Sequence, residues 1–290
     1  MDSPHRPVLV AEVVELLAGK ELVVDATVGS GGHAEALLEA GVGAVVGLDR
    51  DPAALDEASS RLARFGTRFR ALRARFSQLE EAALNAGVRQ AGGILYDLGV
   101  SSMQLDRPAR GFGYRSPGPL DMRMGQDSDD EPSAERVVNA YSEEELARVI
   151  FEYGEERFSR RIARAIVRAR SRAPITTTNE LAAVVAGAVP KRRGSAHPAR
   201  RTFQALRIEI NRELEELAAS LPQAVKLLEP AGRLVAISYH SLEDRIVKRF
   251  LVAESELDVI TRKPVRATED ELRVNPRARS ARLRAAQRAA

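Results

Sequence analysis

The chain has 290 residues, 44% of them hydrophobic and 4% aromatic, which suits an aliphatic core divided between about two domains. Its 44 basic and 41 acidic side chains leave a net charge of +3, so local basic patches are expected rather than a uniformly cationic surface. Cysteine is absent, which excludes disulfides, thiolate metal sites and thiolate nucleophiles, and with them the usual route to methylation at carbon 5 of a pyrimidine.

The first third alternates short apolar runs with helical spacing. Strands are predicted over 22–26, 44–48, 68–74 and 92–96, and helices over 33–40, 52–63 and 78–86. This order implies a parallel sheet with right-handed crossovers. The alternation stops at 106–130, a loop rich in Gly, Pro, Asp, Arg and Ser that contains Arg110-Gly111-Phe112-Gly113-Tyr114. Its aromatics and arginines suggest a substrate-facing loop.

From Ser133 to Asn211 the period is helical. Ser142-Glu143-Glu144-Glu145 reads as a capping box, and Thr178-Asn179-Glu180 opens a further helix before Leu181. Arg157, Arg161, Arg164 and Arg168 share one helix face. Lys191-Arg192-Arg193-Gly194 and Arg200-Arg201 form a second basic cluster, so nucleic acid is the leading partner. A long helix is predicted over 211–228 and a strand over 233–238. Segments 259–262 and 282–286 are candidates for the last strands. The helical block is thus inserted between strands four and five of one sheet. The stretch from Arg273 onward has arginines and no acids, as expected of a tail that contacts anionic substrate or frays.

Val23-Val24-Asp25-Ala26-Thr27-Val28-Gly29-Ser30-Gly31-Gly32-His33 runs from an apolar strand into closely spaced glycines and a helix. The next strand ends in Asp49, placed to accept both hydroxyls of a ribose. The glycines also satisfy the dinucleotide pattern, so a nicotinamide oxidoreductase is an alternative. Asp25 favours a ligand with a cationic head, such as S-adenosylmethionine, over a pyrophosphate. Ligands in open parallel sheets lie beyond the carboxyl ends of the strands, here Asp25 to Gly32, Asp49, Phe76, Asp97 and Ser238 to His240. Phe76 is suited to an adenine face, with core packing as its other reading. The four histidines lack metal-ligand spacing, so no metal is expected. Without a membrane-length apolar run, a soluble cytoplasmic protein is expected.

The segments Tyr96-Asp97-Leu98-Gly99-Val100-Ser101-Ser102-Met103-Gln104-Leu105-Asp106, Arg110-Gly111-Phe112, Ser238-Tyr239-His240-Ser241-Leu242-Glu243-Asp244-Arg245 and Asn275-Pro276-Arg277 stand beside the glycine loop and His5-Arg6-Pro7-Val8-Leu9. Together they resemble the bacterial 16S ribosomal RNA cytosine-N4 methyltransferase family over nearly the whole chain. The resemblance implies an α/β, Rossmann-like class I methyltransferase domain over 1–110 and 214–290, and an inserted helical substrate-recognition domain over 111–213. It implies S-adenosylmethionine as cofactor and 16S rRNA within the small ribosomal subunit as partner. The acceptor would be a cytidine of the decoding region (P site). Cofactor contacts carried over are Gly31, Gly32, His33, Asp49, Phe76, Asp97 and Gln104, the last from the resemblance alone.

A cytosine amine is a weak nucleophile because its lone pair is delocalised into the ring, so a group must accept its developing charge. Asp97, or a backbone carbonyl near Leu98, is the candidate acceptor. Many amino methyltransferases carry an Asp/Asn/Ser-Pro-Pro-aromatic sequence at this point, whereas this chain has Asp97-Leu98-Gly99-Val100. Tyr239 and His240 are suited to stacking on or hydrogen-bonding the base, with helix capping as the other reading of His240. The exposed helical block is compatible with a homodimer. An RNA-binding protein with a vestigial nucleotide fold is a third reading.

Overall fold

The computed structural model describes residues 7–125, 132–190 and 197–290. His5 and Arg6, the basic cluster at 191–194 and residues 126–130 of the predicted loop lie outside them. The chain forms two compact units, Met1–Gly99 with Leu214–Ala290, and Val100–Glu213. The first segment is shorter than the 1–110 expected, ending at Gly99. Residues 100–110 instead belong to the second unit, where Val100 packs against the core containing Phe112, Leu120 and Met122.

In chain order the first unit begins with helix α1 (Val10–Leu17), strand β1 (Leu22–Asp25), α2 (Gly32–Glu39), β2 (Ala44–Asp49), α3 (Pro52–Leu62), β3 (Phe69–Arg73), α4 (Leu79–Asn85) and β4 (Ala91–Asp97). The second contains α5 (Ser102–Asp106), α6 (Ala134–Ala140), α7 (Glu143–Glu152), α8 (Ser159–Arg170), α9 (Thr178–Ala188) and α10 (Arg200–Asn211). The first resumes through α11 (Glu213–Leu227), β5 (Leu228–Ser238), α12 (Ser241–Ala253), β6 (Leu257–Val259), α13 (Glu269–Val274) and β7 (Arg282–Arg288).

One seven-stranded sheet runs β3-β2-β1-β4-β5-β7-β6. The β3-to-β5 portion is parallel, and β7 is antiparallel to both its neighbours. Strands β1, β2 and β4 are apolar on both faces because helices cover both, whereas edge strand β3 alternates. Val24, Ile94, Tyr96 and Ala236 pack with Leu79, Leu217, Leu221 and Val247, from α4, α11 and α12. Val23, Val45, Leu95 and Val235 pack with Val13, Leu17, Leu37 and Leu62, from α1, α2 and α3. The period of two along each strand thus divides one sheet between two apolar layers.

Three expectations are corrected. The helix predicted over 211–228 is broken at Arg212, whose φ is 52°. Asn211 is held there: its Nδ2 donates to the Met122 and Arg207 carbonyls at 2.8 and 2.9 Å, and its Oδ1 accepts from Met124 N at 2.8 Å. The strand predicted over 259–262 lies earlier, as β6. The stretch beyond Arg273 does not fray: β7 occupies the interior of the sheet, with Leu283, Ala285 and Ala286 fully buried and Arg284 only 7% exposed.

The second unit packs Ile150, Ile162, Ile166, Leu181, Val185 and Leu206 into a core of its own. The Ser142–Glu145 capping box opens α7, and a Thr177–Glu180 box opens α9. Burying Ile162, Ala163 and Ile166 turns Arg161, Arg164 and Arg168 of α8 outward, whereas Arg157, also exposed, precedes the helix, so the expected face of four arginines is one of three. Among the described residues no helix is long and apolar enough to cross a membrane.

Candidate active site

The first unit brings its acids together through strand register. Asp25 pairs with Gly47 and Leu95, and Asp97 with Ile237, so Asp25, Asp49 and Asp97 stand at the carboxyl ends of β1, β2 and β4. Thr27 joins two of these tips: its amide donates to Asp25 Oδ1 at 3.0 Å, and its hydroxyl oxygen accepts from Asp97 N at 2.6 Å. Asp49 accepts from Gly29 N at 3.1 Å through Oδ2 and from Asp51 N at 2.9 Å through Oδ1, which fastens the glycine loop to β2. Burial pushes its carboxyl up to about 6, with those amides opposing.

Gly31 caps α2 at a φ of 83°, and a Cβ there would stand 3.0 Å from Leu62 Cδ1 and 3.3 Å from Ala58 Cα. A Cβ on Gly32 would approach Pro7 Cγ to 3.0 Å. The two glycines therefore let the start of α2 pack closely on α3 and Pro7. Gly31→Ala is expected to cost about 1–2 kcal/mol of left-handed strain, read as an earlier midpoint in denaturant unfolding.

His33, in the first turn of α2, is buried. Its Nε2 donates to the Val8 carbonyl at 2.9 Å, which leaves Nδ1 3.5 Å from Asp97 Oδ2. The other Asp97 oxygen accepts from the Tyr239 hydroxyl at 2.7 Å. Burial raises the Asp97 carboxyl above its ordinary value, while His33 and the Tyr239 hydrogen bond pull it back. Burial also pushes Asp25 up to about 6, opposed by His33 and reinforced by Asp97. The Tyr239 phenol is pushed well up by burial and by the Asp97 charge, so it stays a donor.

Phe76 follows β3, half-buried, with its ring edge-on to Tyr96 at 5.9 Å between centroids. Gln104 lies on α5 of the second unit, where its Oε1 accepts from Ser101 N at 3.1 Å. His240 caps α12: Nδ1 accepts from Glu243 N at 3.4 Å, and Nε2 lies 3.1 Å from Glu243 Oε1. The sequence reading missed Glu243, which is 2% exposed and accepts from Tyr239 N at 2.8 Å, fixing the turn that aims Tyr239. Its signal was present in the cap-to-third-residue spacing of His240 and Glu243.

The model of the MraW methylase family matches residues 2–289. The chain belongs to that family. Ribosomal RNA small subunit methyltransferase H of Deinococcus deserti is 53% identical to this methylase, over 98% of this chain and 93% of its own length. The protein of the same name from Carboxydothermus hydrogenoformans is 46% identical over 99% of both chains, and that from Acidothermus cellulolyticus 48% over 98% and 93%. Membership in a methylase family removes the oxidoreductase alternative that the glycine spacing had left open.

Proposed function

We propose that this methylase transfers a methyl group from S-adenosylmethionine to the exocyclic N4 amine of a cytidine in the decoding region of 16S rRNA, within the small ribosomal subunit. The carrying observation is Asp97: a carboxylate at the tip of β4, gripped by Tyr239 on one oxygen and facing His33 with the other, in a family of methylases.

The donor set suits this cofactor. Asp49 offers carboxylate oxygens to a ribose diol. Gly31 and Gly32 make the tight turn into α2, with no room for a Cβ against Leu62, Ala58 and Pro7, and so put backbone amides at the helix start. Asp25 and Asp97 supply negative charge for a cationic sulfonium and amino group, and Phe76 supplies an apolar ring. When bound, the cofactor supplies an electrophilic methyl group. The chain's part is to hold the acceptor amine in line and relieve it of positive charge.

Asp97 is the acceptor, taking a hydrogen bond and then the proton from the amine as the new N–C bond forms. Tyr239 orients it and keeps it ionised, since its hydroxyl donates to the carboxylate form. Where other amino methyltransferases carry prolines and an aromatic after the acid, Leu98 here is buried and its amide donates to the Ile237 carbonyl at 2.9 Å, and Gly99 turns at a φ of 99°. Capture of the base therefore falls to other groups, of which the Leu98 carbonyl is the candidate. The second unit is the RNA-recognition domain, with phosphates met by Arg157, Arg161, Arg164 and Arg168.

The test is methyl transfer from labelled S-adenosylmethionine to purified small subunits, naked 16S RNA and duplex DNA, with nucleoside mass spectrometry of each product. N4-methylcytidine from the subunits is the expected product. A different methylated nucleoside, or transfer only to DNA, overturns the reading.

A further inference from the structure

At the β6 margin of the sheet, the first unit holds a cavity of about 190 Å³ that takes no part in the chemistry above. Leu251 and Val252 of α12 and Val259 of β6 give it apolar walls, and Lys248, Arg262 and Arg284 line it with positive charge. It is smaller than the roughly 300–1,000 Å³ of pockets that enclose drug-sized ligands, so it suits one planar ring rather than a second cofactor.

The charged side chains that line it are all basic, although Glu254, Glu256 and Asp258 lie between Val252 and Val259, with Glu256 engaged by Arg288 Nη2 at 2.8 Å. Lys248 and Arg249 lie on the exposed face of α12, with Val252 one turn on and 70% exposed. The segment 260–268, which follows β6, contains Arg262, Lys263 and Arg266, all exposed, and no acid. Asp244 is engaged by Arg284 Nε at 2.6 Å and Arg282 Nη1 at 3.4 Å, which neutralises Arg284 and leaves Lys248 and Arg262 as the cations of the rim. Arg284, 7% exposed, forms part of the cavity wall with its Nε and Nη2 turned to Asp244.

We propose that this cavity receives an unpaired base of the RNA substrate, with the adjoining phosphates held by Lys248 and Arg262. An apolar slot suits a base, a cationic rim suits its backbone, and the combination matches single-stranded nucleic acid better than an acidic peptide, which lacks the ring. The inference rests on RNA being the substrate but concerns a contact remote in sequence from the acids of the reaction centre.

Two variants of the full-length methylase test it, by equilibrium binding to 16S RNA at several salt concentrations. Lys248→Glu with Arg262→Glu is expected to weaken binding about tenfold or more and to flatten the salt dependence by about one unit of slope per lost phosphate contact. Val259→Phe, which fills the cavity without changing charge, is expected to weaken binding about tenfold with the salt slope unchanged. Calorimetry with S-adenosylmethionine should give wild-type affinity for both and so report an intact fold. Wild-type RNA affinity in Val259→Phe overturns the proposal, whatever charge reversal does. So does RNA binding that is undiminished while a poly-glutamate peptide saturates the cavity. Failure of the wild-type chain to bind RNA at all strikes the substrate reading instead, and is distinguishable from both.

Discussion

Asp97→Asn is expected to lower kcat for methyl transfer by about 10²–10⁴-fold, the range associated with loss of a positioned general base, while the dissociation constant of the cofactor changes far less. The amide keeps an oxygen to accept from Tyr239 but neither the charge nor the basicity. Stability should not fall. Burial raises the folded carboxyl above its ordinary 3.8, so the folded state holds the proton more firmly than the unfolded one. The ionised group therefore opposes folding above its folded pKa, and this penalty fades as pH drops towards 3.8. At pH 8 the variant should thus unfold at or above the wild-type temperature, and a large fall there would show that Asp97 is chiefly structural. Tyr239→Phe gives the companion result. Removing the donor to Oδ1 makes the carboxylate harder to form, so the acid limb of the kcat/KM profile moves to higher pH. An unmoved acid limb would detach Tyr239 from the reaction, and a kcat unchanged in Asp97→Asn would detach Asp97.

Asp244→Ala should be the most damaging substitution remote in sequence from these acids. Arg284 sits in the middle of β7, opposite Ala236, and is 7% exposed with its Nε and Nη2 turned to Asp244. Removing the carboxylate strands a guanidinium inside the fold, at about 3–5 kcal/mol by comparison with other broken buried pairs. Urea denaturation would register this as a lower midpoint at similar slope. Replacing both members, Asp244→Leu with Arg284→Met, should recover most of the loss, because it removes the charges together. If the double variant is no better than the single, the pair's hydrogen bonds rather than its charge balance hold β7.

The Asp244–Arg284 pair also shows where sequence reasoning stopped. Strand ends at Asp25, Asp49 and Asp97 were legible because each terminates an apolar run, and such runs have few ways to be buried. β7 was legible as a candidate strand over 282–286 but its burial was not: four of the seven residues from 282 to 288 are arginine or glutamine, and a carboxylate forty positions earlier neutralises Arg284. The break at Arg212 left no trace either, since arginine is an ordinary helix former and the turn is imposed by Asn211, gripped from Met122 and Met124. The link from Tyr239 to Asp97 spans 142 positions and depends on β4 and β5 being neighbours. The sequence places the helical insertion between these two strands of one sheet, but that says neither that they are neighbours nor which way a tyrosine will point.

The place of β7 sets the order in which this protein can be completed during synthesis. Between β5 and β6, made early in the final quarter, lies a strand that leaves the ribosome after both. Until residue 288 has emerged, β5 has an unpaired edge and β6 has no partner in the sheet. Meanwhile the helical unit, contiguous over 100–213, already has all its core residues in hand. The nascent chain thus offers a finished arginine face before a finished catalytic sheet, and premature termination within the last few residues leaves an open strand edge available for aggregation.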